Sequence, residues 1–272
     1  MWFRSRIVLN AGTASQIPTD QSIDIALTLA MADLKVRFID VEKGIVHYKA
    51  IRGSEEFERY KSLTRGLRLF DLRSLREKNQ RLAFWVNIYN TAVIHGVIEL
   101  GLEKSVKEVP GFFNRVIYEI GSLRFTLNEM EHGILRGNRR PPYGLLKPFQ
   151  KKDQRIVFSI TPLDPRIHFA LVCGARSCPP IGFYEAEQVD LQLQLAAESF
   201  INSPQVNISP QEETIFISKI FKWYKSDFGG SDSALIDLFL RFLDNGEHKS
   251  FLQENRDSVQ IRYQPYDWKL NE

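Results

Sequence analysis

The run LAFWVNIYNTAVIHGVIEL, residues 82–100, is apolar nearly all the way round. A helix with such a surface is buried on most of its sides. Three polar residues interrupt it. Asn87, Asn90 and Thr91 fall on one face, at i, i+3 and i+4. Buried amides cost free energy unless they are hydrogen-bonded. These side chains therefore either tie the helix to the backbone of a neighbouring loop or line a polar site.

The rest of the chain supplies elements around this helix. Ile23, Leu27, Ala30, Leu34 and Phe38 fall at helical spacing between Ser22 and Asp40. Ser54 N-caps a second amphipathic helix over 54–67, with Phe57 and Tyr60 inward. Ile45 to Tyr48 is a short strand or an extended loop. Val116–Ile120 and Leu123–Phe125 flank Gly121–Ser122 as a hairpin. Thr126 and Glu129 form a capping box, which starts a helix with Leu127, Met130 and Ile134 buried. Residues 143–163 are loop-like. Ile167–Cys173 is expected to be a strand, with Cys173 and His168 on opposite faces. A long helix over 187–203, a hairpin of 206–208 with 214–217, an aromatic helix over 221–228 and a helix capped by Ser231 follow. A strand and a tight turn close the chain. No βαβ rhythm appears. The pattern implies one α+β domain over 21–272, with a central antiparallel or mixed sheet, a buried central helix and surrounding helices. Residues 1–20 read as irregular.

Composition narrows the function. The 272 residues are 43% hydrophobic and 25% charged, ordinary for a folded chain. The net charge of +3 is small and its basic residues are dispersed, so no nucleic-acid surface is indicated. No run of about 18 apolar residues indicates a transmembrane helix, and the N-terminal apolar patch is too short for a secretory signal. A cytoplasmic protein without a membrane partner is expected. Two cysteines five positions apart make no disulfide framework. They also lack the second ligand pair of a structural zinc site, so no metal or other cofactor is expected.

The chemistry concentrates at IHFALVCGARSCPPIG, residues 167–182. A glycine-containing turn follows Cys173 and carries Arg176, Ser177 and Cys178. A thiolate needs a lowered pKa or a neighbouring base. Backbone N–H groups at Gly174 and the Arg176 guanidinium would stabilise a thiolate or an oxyanion. The alternative is a small, inert core cysteine. Spacing departs from CxxC, which argues against a redox pair. His168 is excluded as the base by the strand alternation. His95 lies on the buried helix, while His47 and His248 lack site-like neighbours. His132 sits beside Glu131 and four residues before Arg136. That segment is either a small acid–imidazole–guanidinium site or a solvated helix face.

Five segments resemble one family. LAFWVNIYNTAVIHGV (82–97), FTLNEMEHGILR (125–136), DPRIHFALVCGARSCPPI (164–181), ISKIFKWYKSDFG (217–229) and YQPYDWKLN (263–271) resemble the domain-of-unknown-function 547 family. The resemblance spans about 69–271 and implies an intracellular domain standing alone, with cysteine-peptidase-like chemistry. It implies Cys173, rather than Cys178, as the nucleophile, His132 as the base and Glu131 as its companion. Together these expectations describe a cysteine hydrolase of peptidase or acyl-transfer type acting on a peptide or protein segment. Gly174, Asn87, Asn90, Arg136, Arg176 and Ser177 are the candidates for oxyanion or substrate binding. The alternative is a non-catalytic peptide- or protein-binding module with a structural Cys173.

Overall fold

The computed structural model describes residues 6–13, 23–40 and 43–272. The expected helix start at Ser22 and most of the irregular N-terminal segment lie outside these residues. The chain begins with β1 (Ile7–Val8), α1 (Ile23–Phe38), β2 (Ile39–Asp40) and β3 (Ile45–Val46). Then come α2 (Tyr48–Arg52), α3 (Glu55–Gly66), α4 (Lys78–Glu99) and α5 (Phe112–Arg115). The hairpin β4 (Val116–Ile120) and β5 (Leu123–Thr126) leads into a π-helix at Glu129–Leu135. A long loop with 3₁₀ turns at Gln154–Phe158 and Pro165–Phe169 precedes α6 (Val189–Ile201). The C-terminal part holds β6 (Val206–Ser209), β7 (Thr214–Ile217), α7 (Lys219–Trp223), α8 (Asp232–Phe242), α9 (Glu247–Glu254) and β8 (Gln260–Tyr263).

This is an α+β domain whose centre is a helix. From Leu82 to Ile98 every residue of α4 is buried. The strands fall into small sheets, of which β1–β4–β5 packs on this helix and β6–β7–β8 belongs to a second hydrophobic cluster. β4 pairs antiparallel with β5 and parallel with β1, and β7 pairs antiparallel with β6 and parallel with β8. The β1 pairing corrects the irregular reading of residues 1–20, and Asn10 anchors it. The Asn10 Nδ2 donates to the carbonyls of Thr64 and Glu119, while its Oδ1 accepts from Glu119 N. The β4–β5 turn has φ of 54° at Gly121 and 66° at Ser122. Both central residues are left-handed, as the twist of a two-residue hairpin requires.

Local capping behaves as the side chains dictate. Ser54 accepts from Phe57 N, and Ser231 from Ala234 N. Thr126 and Glu129 satisfy each other's backbone N–H.

The expected strand at 167–173 is absent. Asp164 accepts from Arg166 N, and Pro165 sits at the first position of a 3₁₀ turn that runs to Phe169. Extended coil follows as far as Cys173. A short apolar run cannot by its periodicity be told from a buried helical segment, and the Asp–Pro start decides here. The segment lies between two hydrophobic clusters. Ile167, Ala170 and Leu171 join the cluster around α4, while Phe169 joins the one formed with β6, β7 and α8. α6 contributes to both.

Candidate active site

A cavity of about 710 Å³ opens where the two clusters meet. Its walls include Glu131, His132, His168, Cys173, Cys178, Tyr224 and Tyr266. Glu131 and His132 come from the π-helix, His168 from the 3₁₀ turn, the two cysteines from the turn after it, and Tyr224 and Tyr266 from the C-terminal part.

The cysteines reach the cavity through α4. Asn90 Nδ2 donates to Ala170 O at 2.9 Å, and Asn90 Oδ1 accepts from Val172 N at 3.0 Å. These bonds pin the backbone just before Cys173. Gly174 then turns the chain with φ of 76°, a conformation that glycine adopts without penalty. The following turn is stitched to the C-terminal segment. Asn271 N donates to Gly174 O, Arg176 N to Lys269 O, and Asp267 N to Ser177 Oγ. The Cys173 and Cys178 Cα atoms lie 6.2 Å apart and the sulfurs form a disulfide. This corrects the expectation that the spacing argues against a redox pair. A tight turn brings two thiols together without the CxxC spacing. Tyr266 Oη lies 3.1 Å from Cys173 Sγ and 3.2 Å from Cys178 Sγ. Burial raises the Tyr266 phenol, so it stays protonated and donates to sulfur.

The π-helix carries the acid and imidazole. Its wider turn is set by i→i+5 bonds, such as Arg136 N to Glu131 O at 2.8 Å and Asn138 N to Gly133 O at 3.0 Å. Glu131, His132 and Arg136 are all buried, which excludes the solvated helix face. Tyr89 Oη donates to Glu131 Oε2 at 3.1 Å, and Tyr224 Oη to Oε1 at 2.5 Å. Burial pushes the Glu131 carboxyl up, but His132 and the Tyr224 hydroxyl reverse this and hold it below its ordinary value.

The proton arrangement separates the two histidines. Arg136 Nη1 lies 2.9 Å from His132 Nδ1, closer than Glu131 Oε1 at 3.5 Å. A guanidinium can only donate, so Nδ1 accepts and the neutral ring carries its proton on Nε2. Burial pushes the His132 pKa down to about 4. At neutral pH the ring is thus an N–H donor, the wrong tautomer for a base acting through Nε2. His168 has the opposite arrangement. Its Nε2 lies 2.9 Å from Asp227 Oδ2 and donates to it. Nδ1 therefore holds the lone pair. The Tyr224 ring stacks on His168 at 3.8 Å, which fixes the imidazole plane. Burial would raise the Asp227 carboxyl, yet the bonds from His168 and Arg136 hold it far below its usual range. Arg136 Nε lies 2.6 Å away and Arg139 Nη1 2.9 Å. Burial lowers the His168 pKa against the pull of Asp227, which leaves the ring neutral at neutral pH.

The segment 72–201 matches the family model described as "Protein of unknown function, DUF547". Residues 72–201 are thus a DUF547 segment. No curated protein and no solved structure matched it. The DUF547 segment holds the π-helix, His168 and both cysteines. Tyr224, Asp227 and Tyr266 lie C-terminal to it.

Several expected positions fall elsewhere. The Asn87 amide exchanges two hydrogen bonds with the Tyr184 backbone, and the Asn90 amide is used on 170–172. Both tie backbone, and Asn87 also lines a separate cavity of about 560 Å³ with Thr91 and Tyr184, but neither lines the site cavity. Gly174, Arg176 and Ser177 also lie outside its walls, because the turn faces the C-terminal segment. Arg136 stands behind the cavity and works through His132 and Asp227. His95 is a core residue bonded to Tyr118 Oη at 2.7 Å. The set-aside of His168 fails with the strand on which it rested. Asp227 carried no signal of its own, and Tyr224 and Tyr266 read as members of an aromatic stripe and of the Tyr266–Asp267–Trp268 cluster rather than as site residues. Their place in the quoted KWYKSDF and YQPYDW segments was the remaining signal. Among the described residues no cluster of three or more His, Cys, Asp or Glu is arranged to hold a metal ion.

Proposed function

We propose that this protein is a cysteine hydrolase of acyl-transfer type, acting on an amide or ester such as a peptide segment. The supporting observation is a cavity shared by Cys173 and an imidazole whose tautomer Asp227 sets. His168, rather than His132, is the base in this proposal. The disulfide is the resting, oxidised form. A dithiol reductant supplies two electrons and two protons and frees both thiols. The Cys173 thiol proton passes to His168 Nδ1 as sulfur attacks the carbonyl carbon. The same proton leaves with the amine or alkoxide, giving a thioester. Water then attacks the thioester carbon as His168 takes its proton; the C–S bond breaks, the carboxylic acid leaves, and His168 returns the proton to the Cys173 sulfur. Tyr266 O–H and His132 Nε2–H are donors for developing negative charge. Cys178 is the resolving thiol. In a reducing compartment such as the cytoplasm the disulfide would be a transient state.

The disulfide favours a second reading, thiol–disulfide exchange by the Cys173–Cys178 pair. Labelling with iodoacetamide, read by intact mass, separates the two. The hydrolase predicts one fast label after reduction, lost in Cys173→Ala and retained in Cys178→Ala. Equal fast labelling of both thiols, with rapid reduction of a small-molecule disulfide, supports exchange instead. No fast label after reduction contradicts both.

A further inference from the structure

Part of the cavity wall is apolar and exposed. The loop Pro141–Leu146 leaves Tyr143 83%, Leu145 86% and Leu146 73% accessible, although all three line the cavity. Trp223 and Trp268, with ring centroids 5.6 Å apart, continue this wall towards Tyr266 and the sulfurs. Exposed side chains of this size gain free energy only when something apolar covers them.

The charges in the cavity are already matched. Glu131 is the one acidic residue among its described walls, and two phenols bind it. No lysine or arginine is among those walls. Behind them, Asp227 is matched by Arg136 and Arg139. A carboxylate or phosphate on the ligand would enter beside Glu131 with no cation on the walls themselves; the Lys107 ammonium, 4.3 Å from the Trp268 ring centroid, lies outside them. A volume of about 710 Å³ suits a group far larger than a methyl.

We infer that the acyl side of the substrate carries a large uncharged apolar group, seated between the 141–146 loop and the Trp223–Trp268 pair. This rests on the acyl-transfer reading and adds the substrate class. Such a group comes from an alkanoyl chain or from the side chain of a peptide residue. Each methylene covered contributes a few-fold in affinity.

The test uses the full chain with Cys173→Ser and Cys178→Ser, so that binding is read without chemistry. Hexanamide, N-acetylphenylalaninamide, acetamide and succinamate are titrated against tryptophan fluorescence. The first two should bind at least tenfold tighter than acetamide, and succinamate no tighter than acetamide. The tighter of the first two identifies the source. Leu145→Asp with Leu146→Asp should cost at least tenfold for both, with an unchanged melting temperature because both residues are exposed. Equal binding of all four, or preference for succinamate, overturns the inference. A separate arm incubates reduced wild-type protein with p-nitrophenyl hexanoate and looks for acylated Cys173 by mass. Failure there, with the binding preference intact, overturns the acyl-transfer reading and with it the assignment to the acyl side.

Discussion

At the scale of single residues, the site depends on which nitrogen carries a proton. Asp227 holds His168 with its Nε2–H turned to the carboxylate, and Arg136 holds His132 in the opposite sense. Asp227→Asn should release His168 from that tautomer and slow alkylation of Cys173 by at least about 100-fold at pH 7. The readout is the iodoacetamide rate of reduced protein. Tyr266→Phe removes the O–H that reaches both sulfurs. Its alkylation rate should fall at pH 7 and recover at higher pH, because the thiolate loses a donor. A rate unchanged across pH would deny Tyr266 that role. Glu131, His132 and Cys173 were legible in the sequence as chemistry-bearing types in compact motifs, with the family resemblance choosing among them. His168 was misread because strand parity was applied to a segment that turns as a 3₁₀ helix. Asp227 was hidden because its partners, His168 and Arg136, are 59 and 91 residues away in the chain.

At the scale of elements, two supports carry the site. Asn90 joins α4 to the strand-like coil before Cys173. Asn90→Ala leaves the Ala170 carbonyl and Val172 N–H buried without partners. A loss of about 2–4 kcal/mol in denaturant unfolding is expected. Asn90→Asp should lose at least as much, because it buries a carboxylate with one oxygen against the Ala170 carbonyl. The π-helix packs closely as well. A Cβ at Gly133 would clash with Cε2 of the buried Phe149 ring. Gly133→Ala should therefore cost about 1–3 kcal/mol and displace His132. Caps and hairpins were readable because they depend on neighbours within three or four residues. The π-helix was not, since its i→i+5 pattern shares residue preferences with an α-helix.

At the scale of the whole molecule, buried imidazoles couple stability to pH. Burial holds His132 at about 4, below the ordinary value near 6.5, and lowers His95 and His168 too. Between pH 6.5 and 4 the unfolded chain binds more protons at His132 than the folded chain does. Stability therefore rises with pH through that window and is lost as pH falls. His132 alone accounts for about 3 kcal/mol of this at full protonation. Thermal melts should show a falling midpoint below pH 6.5, and His132→Gln should flatten the slope. No helix among the described residues is long and apolar enough to cross a membrane. The buried central helix was legible from its all-round apolar surface. The meeting of two clusters at the cavity was not, because it depends on how α6 and the 165–173 segment span both.

The most direct test of the central claim is the pH profile of Cys173 alkylation in reduced protein, compared among wild type, His168→Gln and His132→Gln. If His168 is the base, wild type and His132→Gln react well below pH 8. His168→Gln should instead react only as pH approaches about 8.5, where an unassisted thiol ionises. The reverse pattern, with His132→Gln alone shifted to high pH, contradicts the account.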